Sequence, residues 1–442
     1  MTSTAIETVK ARRVWDSRGR PTVEAEIILE GGASGRAIAP SGASTGSHEA
    51  LELRDGGPKF AGLGVDQALN AVRADIAPAL AGFDAADQAG LDRQMIALDG
   101  TDNKTRLGAN ATIAVSMAAA HAAAAAMAKP LWAHCQTMFG AGAVADPVMP
   151  LPEIQIFGGG AHAGARIDIQ DLMVVCPGAA SFDEALCWTA EIYLAAGALM
   201  RERGALAGVA DEGGYWPAFS SNESAIETLV LAIERAGFRA PDQVGIALDV
   251  AATEFYDDGR YQLALDGMSV DRDGMVKLIA GWLKAYPILS VEDPLSEHDA
   301  DGFMKLTRQF GQAVQIVGDD LLVSDAQRTA NAAKLGLCNS VLLKPNQRGT
   351  LSELFECWQA AKSRGMSGII SARSGETEDI TIAHLAVGWG VPQFKVGSFS
   401  RSERMAKWNE VLRIEEALGG AAGFAGHAAL KPGPRLTTST IV

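Results

Sequence analysis

From about residue 245 onward the sequence repeats one pattern. A short run rich in Val, Ile and Leu ends at a charged side chain, and a helix-like stretch follows. The runs are IALD ending at Asp249, ILSVE at Glu292, VQIVGD at Asp319, SVLLK at Lys344, GIISAR at Arg373 and PQFK at Lys395. Successive ends lie 43, 27, 25, 29 and 22 residues apart. Helical patterns such as Gly274 to Lys284 and Ser352 to Arg364 fill the intervals. Strand and helix alternating at this spacing predict parallel βαβ units. Six or more of them suit a closed α/β barrel better than an open sheet. Parallel barrel strands deliver their C-terminal ends to one rim, where functional side chains gather. One charged strand end is most simply a solvated cap. Six, all of metal-ligand or acid–base type, point to a site.

Upstream, nothing repeats. Thr22 to Leu29 alternates like a half-buried strand. The Gly/Ser-rich loop Ser41-Gly42-Ala43-Ser44-Thr45-Gly46 follows, and helical patterns then run to Lys129-Pro130. Phe139 to Pro152 is rich in Gly and Pro and reads as a linker. The chain's 442 residues are enough for two or three domains. Hydrophobic residues make up 48% and charged residues 21%, so a large core is expected and disorder is not.

The charge balance is 38 Lys+Arg against 53 Asp+Glu, a net −15. Such a chain repels phosphate backbones, which argues against nucleic-acid partners. It also means that any anionic ligand needs a local reversal of charge. The five cysteines are scattered without CxxC spacing. That argues against a disulfide framework or zinc cage and for a reducing, cytoplasmic compartment. The opening MTSTAIETVKARR lacks the apolar core of a signal peptide. Ala111 to Ala128 is long enough to span a membrane, but alanine contributes little transfer energy, so a buried helix is expected.

Asp249, Glu292 and Asp319 fall on consecutive strands. Three carboxylates converging at a barrel mouth repel one another unless a cation sits among them. Oxygen ligands without Cys or His select Mg²⁺, with Mn²⁺ the other ion that fits. A lysine such as Lys344 or Lys395, desolvated near another cation, has a depressed pKa and serves as a base. Glu212, in Ala210-Asp211-Glu212-Gly213-Gly214, could supply an acid, and Arg373 with Ser374 could hold a phosphate. Metal, lysine base and carboxylic acid together suit proton abstraction α to a carboxylate. The resulting dianion needs preorganised positive charge, and a group on the opposite face expels a β-leaving group.

These residues sit in motifs spanning essentially the whole chain. They include Asp16-Ser17-Arg18-Gly19 with Pro21 to Glu24, the SGASTG loop running into His48 to Asp55, Leu98 to Thr101 and Leu107 to Ala111. Further on come Asp211 to Gly214, Ser290 to Pro294, Gly318 to Leu321, Leu343-Lys344 with Asn346-Gln347, Arg373 to Asp379 and Arg401 to Arg404. In this order they resemble the enolase family, whose superfamily uses a Lys or His base with one or two Mg²⁺ ions. The resemblance implies an N-terminal α+β capping domain over residues 1–138, a linker at 139–150 and a modified barrel over 151–442. It implies that Asp249, Glu292 and Asp319 hold the tighter of two Mg²⁺ ions and that Ser44 helps bind the second. Lys344 would take the proton and Glu212 assist loss of hydroxide. Lys395 would bind the carboxylate side of the substrate, and Arg373 with Ser374 its phosphate. His162 and Gln170 match further active-site positions. A homodimer is implied too, because Arg12, Glu24 and Glu403 lie in motifs that meet a partner subunit. The substrate class is a small phosphorylated or phosphonylated carboxylic acid, of which 2-phosphoglycerate is the family's own.

The departures from the family cluster in the site. Ala372 stands where the family carries histidine, and Asp171 where it carries glutamate. Gly158-Gly159-Gly160-Ala161 replaces Asn-Gly-Gly-Ser, Pro345 replaces Val after the base lysine, and His384 replaces an aspartate elsewhere. A shift of about 1 Å in a catalytic group can cost on the order of 100-fold in rate. Two or more changes in the leaving-group region, with the metal ligands and base lysine intact, leave three readings. The chain is a 2-phosphoglycerate dehydratase with a modified acid side. Alternatively it is a paralogue with altered leaving-group chemistry, of the kind seen in carboxyphosphonoenolpyruvate synthase of phosphonate biosynthesis. The third reading is a non-catalytic binding protein.

Overall fold

The structure is a computed structural model that describes residues 3–43, 45–140 and 147–430. Ser44, residues 141–146 of the expected linker and the last residues of the chain lie outside the described residues.

Strands β1 (Ile6–Trp15), β2 (Pro21–Leu29) and β3 (Ser34–Ile38) form an antiparallel meander. The alternation in β2 predicts one wet face, but the strand is more buried than that. Val23, Ala25, Ile27 and Leu29 are fully buried on one face. On the other, Glu24 is also buried, because Arg12, its register partner on β1, pairs with it. Helix α1 (Gln88–Asp99) precedes helix α2 (Ala109–Ala126), which packs on β2 and β3. By length and composition α2 could cross a membrane, yet 83% of it is buried within the protein. Its alanines bring helix and sheet backbones together. A Cβ added at Gly35 would lie 2.1 Å from Ala122 N and 2.4 Å from Ala118 O. Gly35→Ala is therefore expected to destabilise the fold by about 3 kcal/mol, at the upper end for overpacked cores, read as a lowered denaturant midpoint.

Among the described residues, eight strands close a barrel. In chain order they are β4 (Leu151–Gly158), β5 (Asp171–Val175), β6 (Gly245–Asp249), β7 (Ile288–Glu292), β8 (Gln315–Gly318), β9 (Ser340–Leu343), β10 (Ser367–Ser371) and β11 (Gln393–Ser398). Helices α3 (Phe182–Glu202) and α4 (Asn222–Arg235) follow β5, and α5 (Arg272–Ala285) follows β6. Then α6 (Ala300–Phe310), α7 (Ala326–Leu335), α8 (Leu351–Lys362), α9 (Thr381–Trp389) and α10 (Ser402–Leu418) each follow one strand. The N-terminal elements are tied to this barrel through α8. Asp92 on α1 accepts from Ser352 N at 2.9 Å and Ser352 Oγ at 2.7 Å, and Lys104 Nζ bonds Glu353 at 2.9 Å.

The six runs read from the sequence pair in parallel, as expected. The barrel as a whole is not uniformly parallel, because β5 pairs antiparallel with both β4 and β6. A reversed strand presents its first residue where its neighbours present their last. Asp171 therefore opens β5 directly opposite Asp249, which closes β6. Lys395 does not end its strand either, since β11 runs on to Ser398. It reaches the site because the pairing of β11 with β4 shifts between Lys395 and Gly397. Asp319, Lys344 and Arg373 lie one or two residues beyond β8, β9 and β10.

The period of two explains which side chains enter the barrel. On β6, Ile246 and Leu248 join the core shared with the helices, whereas Ala247 belongs to a separate cluster with Leu151, Met173 and Val175. Val317, Leu342 and Ile369 form another such cluster. Continuing the inward rows from Ala247, Val317 and Leu342 leads to Asp249, Asp319 and Lys344.

Candidate active site

Adjacent strands β6, β7 and β8 bring Asp249, Glu292 and Asp319 to one rim, each no more than 5% exposed. Their mutual repulsion is answered by two ammonium groups. Lys395 Nζ lies 2.8 Å from both Asp249 Oδ2 and Glu292 Oε2, and 3.5 Å from Asp171 Oδ2. Lys344 Nζ pairs with Asp319 Oδ2, whose other oxygen accepts from Gln347 Nε2 at 2.9 Å. Gln170 Nε2 donates to Asp249 at 3.1 Å. The expected triad is thus divided between two lysines. Among the described residues, two groups bring ligand atoms within 4.8 Å of one another, Asp293 with Asp319 and Asp320, and His162 with Asp171 and Glu212.

The donors at the rim fit a hard divalent cation. They are carboxylates from three neighbouring strands, and buried Glu292 Oε1 has no hydrogen-bond partner among the described residues. Asp293 organises the turn beside them, accepting from the backbone N–H groups of Asp319 at 3.0 Å and Asp320 at 2.7 Å.

The charges redistribute protons. Burial pushes the Glu292 carboxyl well above its ordinary range, and neighbouring Asp249 adds to that. Burial also opposes charge on Asp249, but Lys395 outweighs it and holds Asp249 low. The depressed lysine pKa expected from the sequence is absent. Burial pulls Lys344 down, as do Arg373 and Lys395, but Asp319 and Glu292 outweigh them and raise it. Lys395 is raised further, because Asp249, Glu292 and Asp171 together overcome its burial.

A second group lines the same pocket as Lys344 and Lys395. His162, on the loop between β4 and β5, places Nε2 3.9 Å from Asp171 Oδ1 and 3.8 Å from Glu212 Oε1. Gln155, pointing inward from β4, donates to Asp171 and accepts from Gly214 N at 2.8 Å, fixing the glycine-flanked turn that carries Glu212. Burial raises Asp171 to about 6 despite His162 and Lys395. Glu212 is equally buried, but His162 and Arg404 draw it below the ordinary range. A proton shared across this cluster therefore rests more readily on Asp171. Ala372 lines the same pocket, its N–H bonded to Lys395 O at 2.9 Å. Its methyl group offers no donor there.

Arg373 and Ser374 form a third group in that pocket. Arg404, fully buried, donates to the backbone carbonyls of Arg373 at 2.6 Å and Val396 at 3.0 Å, fixing the backbone that carries them. Arg373 is already engaged: its two terminal nitrogens bond Glu49 Oε2 at 3.0 Å and Oε1 at 3.1 Å, and one also reaches Asn346 Oδ1 at 3.0 Å. Ser374 Oγ accepts from Ala43 N at 3.1 Å.

Ten of the residues singled out from sequence therefore line one cavity, Glu292 and Asp319 pair with its lining lysines, and Ser44 lies outside the described residues. Glu49 and Arg404 lie in the sequence motifs without an assigned role, and Gln155 and Glu153 lie in none of them. The signal for Gln155 and Glu153 was their inward parity on β4, which was open to reading once β4 was recognised as a strand. Glu153 is buried with an unpartnered Oε2. Burial, reinforced by Asp249 and Asp171 and opposed by Lys395, lifts it to about 7.

A closed β/α barrel with a reversed second strand carries carboxylates and two lysines at its rim. The family is settled by comparison. Residues 6–135 match the family described as "Enolase, N-terminal domain", and residues 146–432 match "Enolase, C-terminal TIM barrel domain". The chain belongs to the enolase family and is an enolase-superfamily lyase.

Proposed function

We propose that the protein is a Mg²⁺-dependent lyase that removes the proton α to the carboxylate of 2-phosphoglycerate or a close analogue and eliminates water to give phosphoenolpyruvate. The observation that carries this reading is that Lys344 and Lys395 line one pocket together with His162, Asp171 and Glu212. In this reading Asp249, Glu292 and Asp319 hold one Mg²⁺, and a second ion accompanies the substrate. When bound, the metal supplies positive charge to both carboxylate oxygens of the dianion. Lys344 takes the α-proton at Nζ. Its pKa is kept high by Asp319, and a cation held at Asp319 would weaken that pull. Lys395 orients the substrate carboxylate. Arg373 and Ser374 hold the phosphoryl group. On the leaving-group side, the departing hydroxide takes a proton from the Asp171 and Glu212 cluster, where it rests more readily on Asp171, and leaves as water. We also place the protein in the cytoplasm and as a homodimer, with the Arg12, Glu24 and Glu403 segments at the subunit contact.

The test is the rise of enol-pyruvate absorbance from 2-phosphoglycerate and Mg²⁺. A rate of ordinary size for such enzymes, above about 1 s⁻¹, supports dehydration. Absence of product while the α-proton still exchanges favours the second reading, a paralogue with a different leaving group. Ala372 is what favours that alternative, because the pocket wall lacks a donor beside the leaving group. Under that reading Ala372→His raises the dehydration rate by about 100-fold, the lower range for one acid–base group. An unchanged rate would remove Ala372 from the account.

A further inference from the structure

Glu49 occupies the fork of Arg373 with the geometry a substrate anion would need. Its two carboxylate oxygens meet the two terminal nitrogens at 3.0 and 3.1 Å, the bidentate arrangement that guanidinium favours. The pair is enclosed, with the Arg373 side chain 2% and the Glu49 side chain 8% exposed. Glu49 Oε1 also accepts from Gly46 N at 3.1 Å and Gln347 Nε2 at 3.3 Å. The backbone beside it is fixed to the barrel and to the loop before α2. Ala50 N donates to Gln347 O at 2.8 Å, and Leu51 N to Asn103 O at 2.7 Å. This carboxylate is therefore held in place, at an effective concentration no free monoanion readily matches.

We infer that Glu49 is a specificity-determining residue, an internal carboxylate that any ligand anion must displace from Arg373. This rests on the reading of Arg373 and Ser374 as the phosphoryl site. A monoanionic carboxylate offers the fork the same two oxygens and the same charge as Glu49, so it gains nothing by exchange. A phosphoryl or phosphono dianion brings a second charge and a third oxygen, for which the Ser374 hydroxyl is the adjacent donor. Glu49 thus sets a charge threshold. It admits tetrahedral dianions and turns away the unphosphorylated hydroxy acids that share the rest of the substrate.

The test is calorimetric titration of metal-free protein with inorganic phosphate, and separately with acetate. The wild-type chain is expected to bind phosphate and to ignore acetate. Glu49→Gln should bind phosphate about 10- to 100-fold more tightly, the gain from removing one competing set of charge-assisted hydrogen bonds. It should also bind acetate measurably. Glu49→Asp, shorter by one methylene, should fall between them, and it serves if Glu49→Gln leaves Arg373 too poorly paired to fold. Both gains should vanish in an Arg373→Met background. If Arg373→Met abolishes phosphate binding but the Glu49 variants bind phosphate and acetate as wild type does, the threshold is wrong and the phosphoryl site stands. If Arg373→Met leaves phosphate binding intact, the phosphoryl site falls and the inference falls with it.

Discussion

Lys344→Ala is expected to lose about 10³- to 10⁴-fold in the rate of α-proton exchange, the contribution of a positioned general base. The KM for 2-phosphoglycerate should change little, because Lys395 and Arg373 still hold the carboxylate and phosphoryl ends. The fold should survive. Asp319 keeps its bond from Gln347, and the removed ammonium is balanced by a neighbouring carboxyl that burial already inclines toward protonation. Solvent-deuterium exchange followed by proton NMR reads the step directly. Glu212→Gln is the matching control from the leaving-group side. It should keep exchange and lose elimination, since it touches the leaving group and not the α-proton. Undiminished exchange in Lys344→Ala would overturn the assignment of the base.

The second large effect concerns the carboxylate rim. Mg²⁺ at about 100 times its Kd should stabilise the wild-type chain by about 2.7 kcal/mol through binding to the native state. That appears as a rise in Tm of several degrees. Glu292→Gln should abolish the rise and reduce turnover to background. Glu292 is the sensitive position because its Oε1 is buried and unpartnered while Oε2 holds Lys395. An unchanged Mg²⁺ response in Glu292→Gln would place the ion elsewhere, for instance with Asp293, Asp319 and Asp320.

Much of this molecule is legible in its sequence, for physical reasons that can be named. Strand-forming runs with a charge at the end carry both the barrel and its rim. Asp249 and Glu292 close their strands and sit in register on neighbours β6 and β7. Strand direction is less legible. Asp171-Leu172-Met173-Val174-Val175 reads the same as a parallel or an antiparallel core strand, and only pairing with β4 and β6 turns Asp171 toward the rim. Lys395 needed a local register shift that no residue pattern announces. Electrostatics was the least legible layer. The sequence places lysines near carboxylates, but it does not say that Lys344 binds Asp319 tightly enough to raise its pKa, or that Glu49 fills the Arg373 fork.

The net charge of −15 also takes on a local meaning. Buried carboxylates supply the sites at which a cation can collect, while Lys344, Lys395 and Arg373 lie within the same pocket. Those three basic groups are the local reversal of charge that an anionic ligand would need.

The central claim is that Lys344 and a cation held by Asp249, Glu292 and Asp319 labilise the proton α to a carboxylate. The most direct measurement is proton NMR of 2-phosphoglycerate in deuterium oxide with the wild-type protein and Mg²⁺. Loss of the α-proton signal that stops when the metal is chelated is the predicted result. A persistent α-proton signal, with Mg²⁺ bound and the protein folded, would contradict the account.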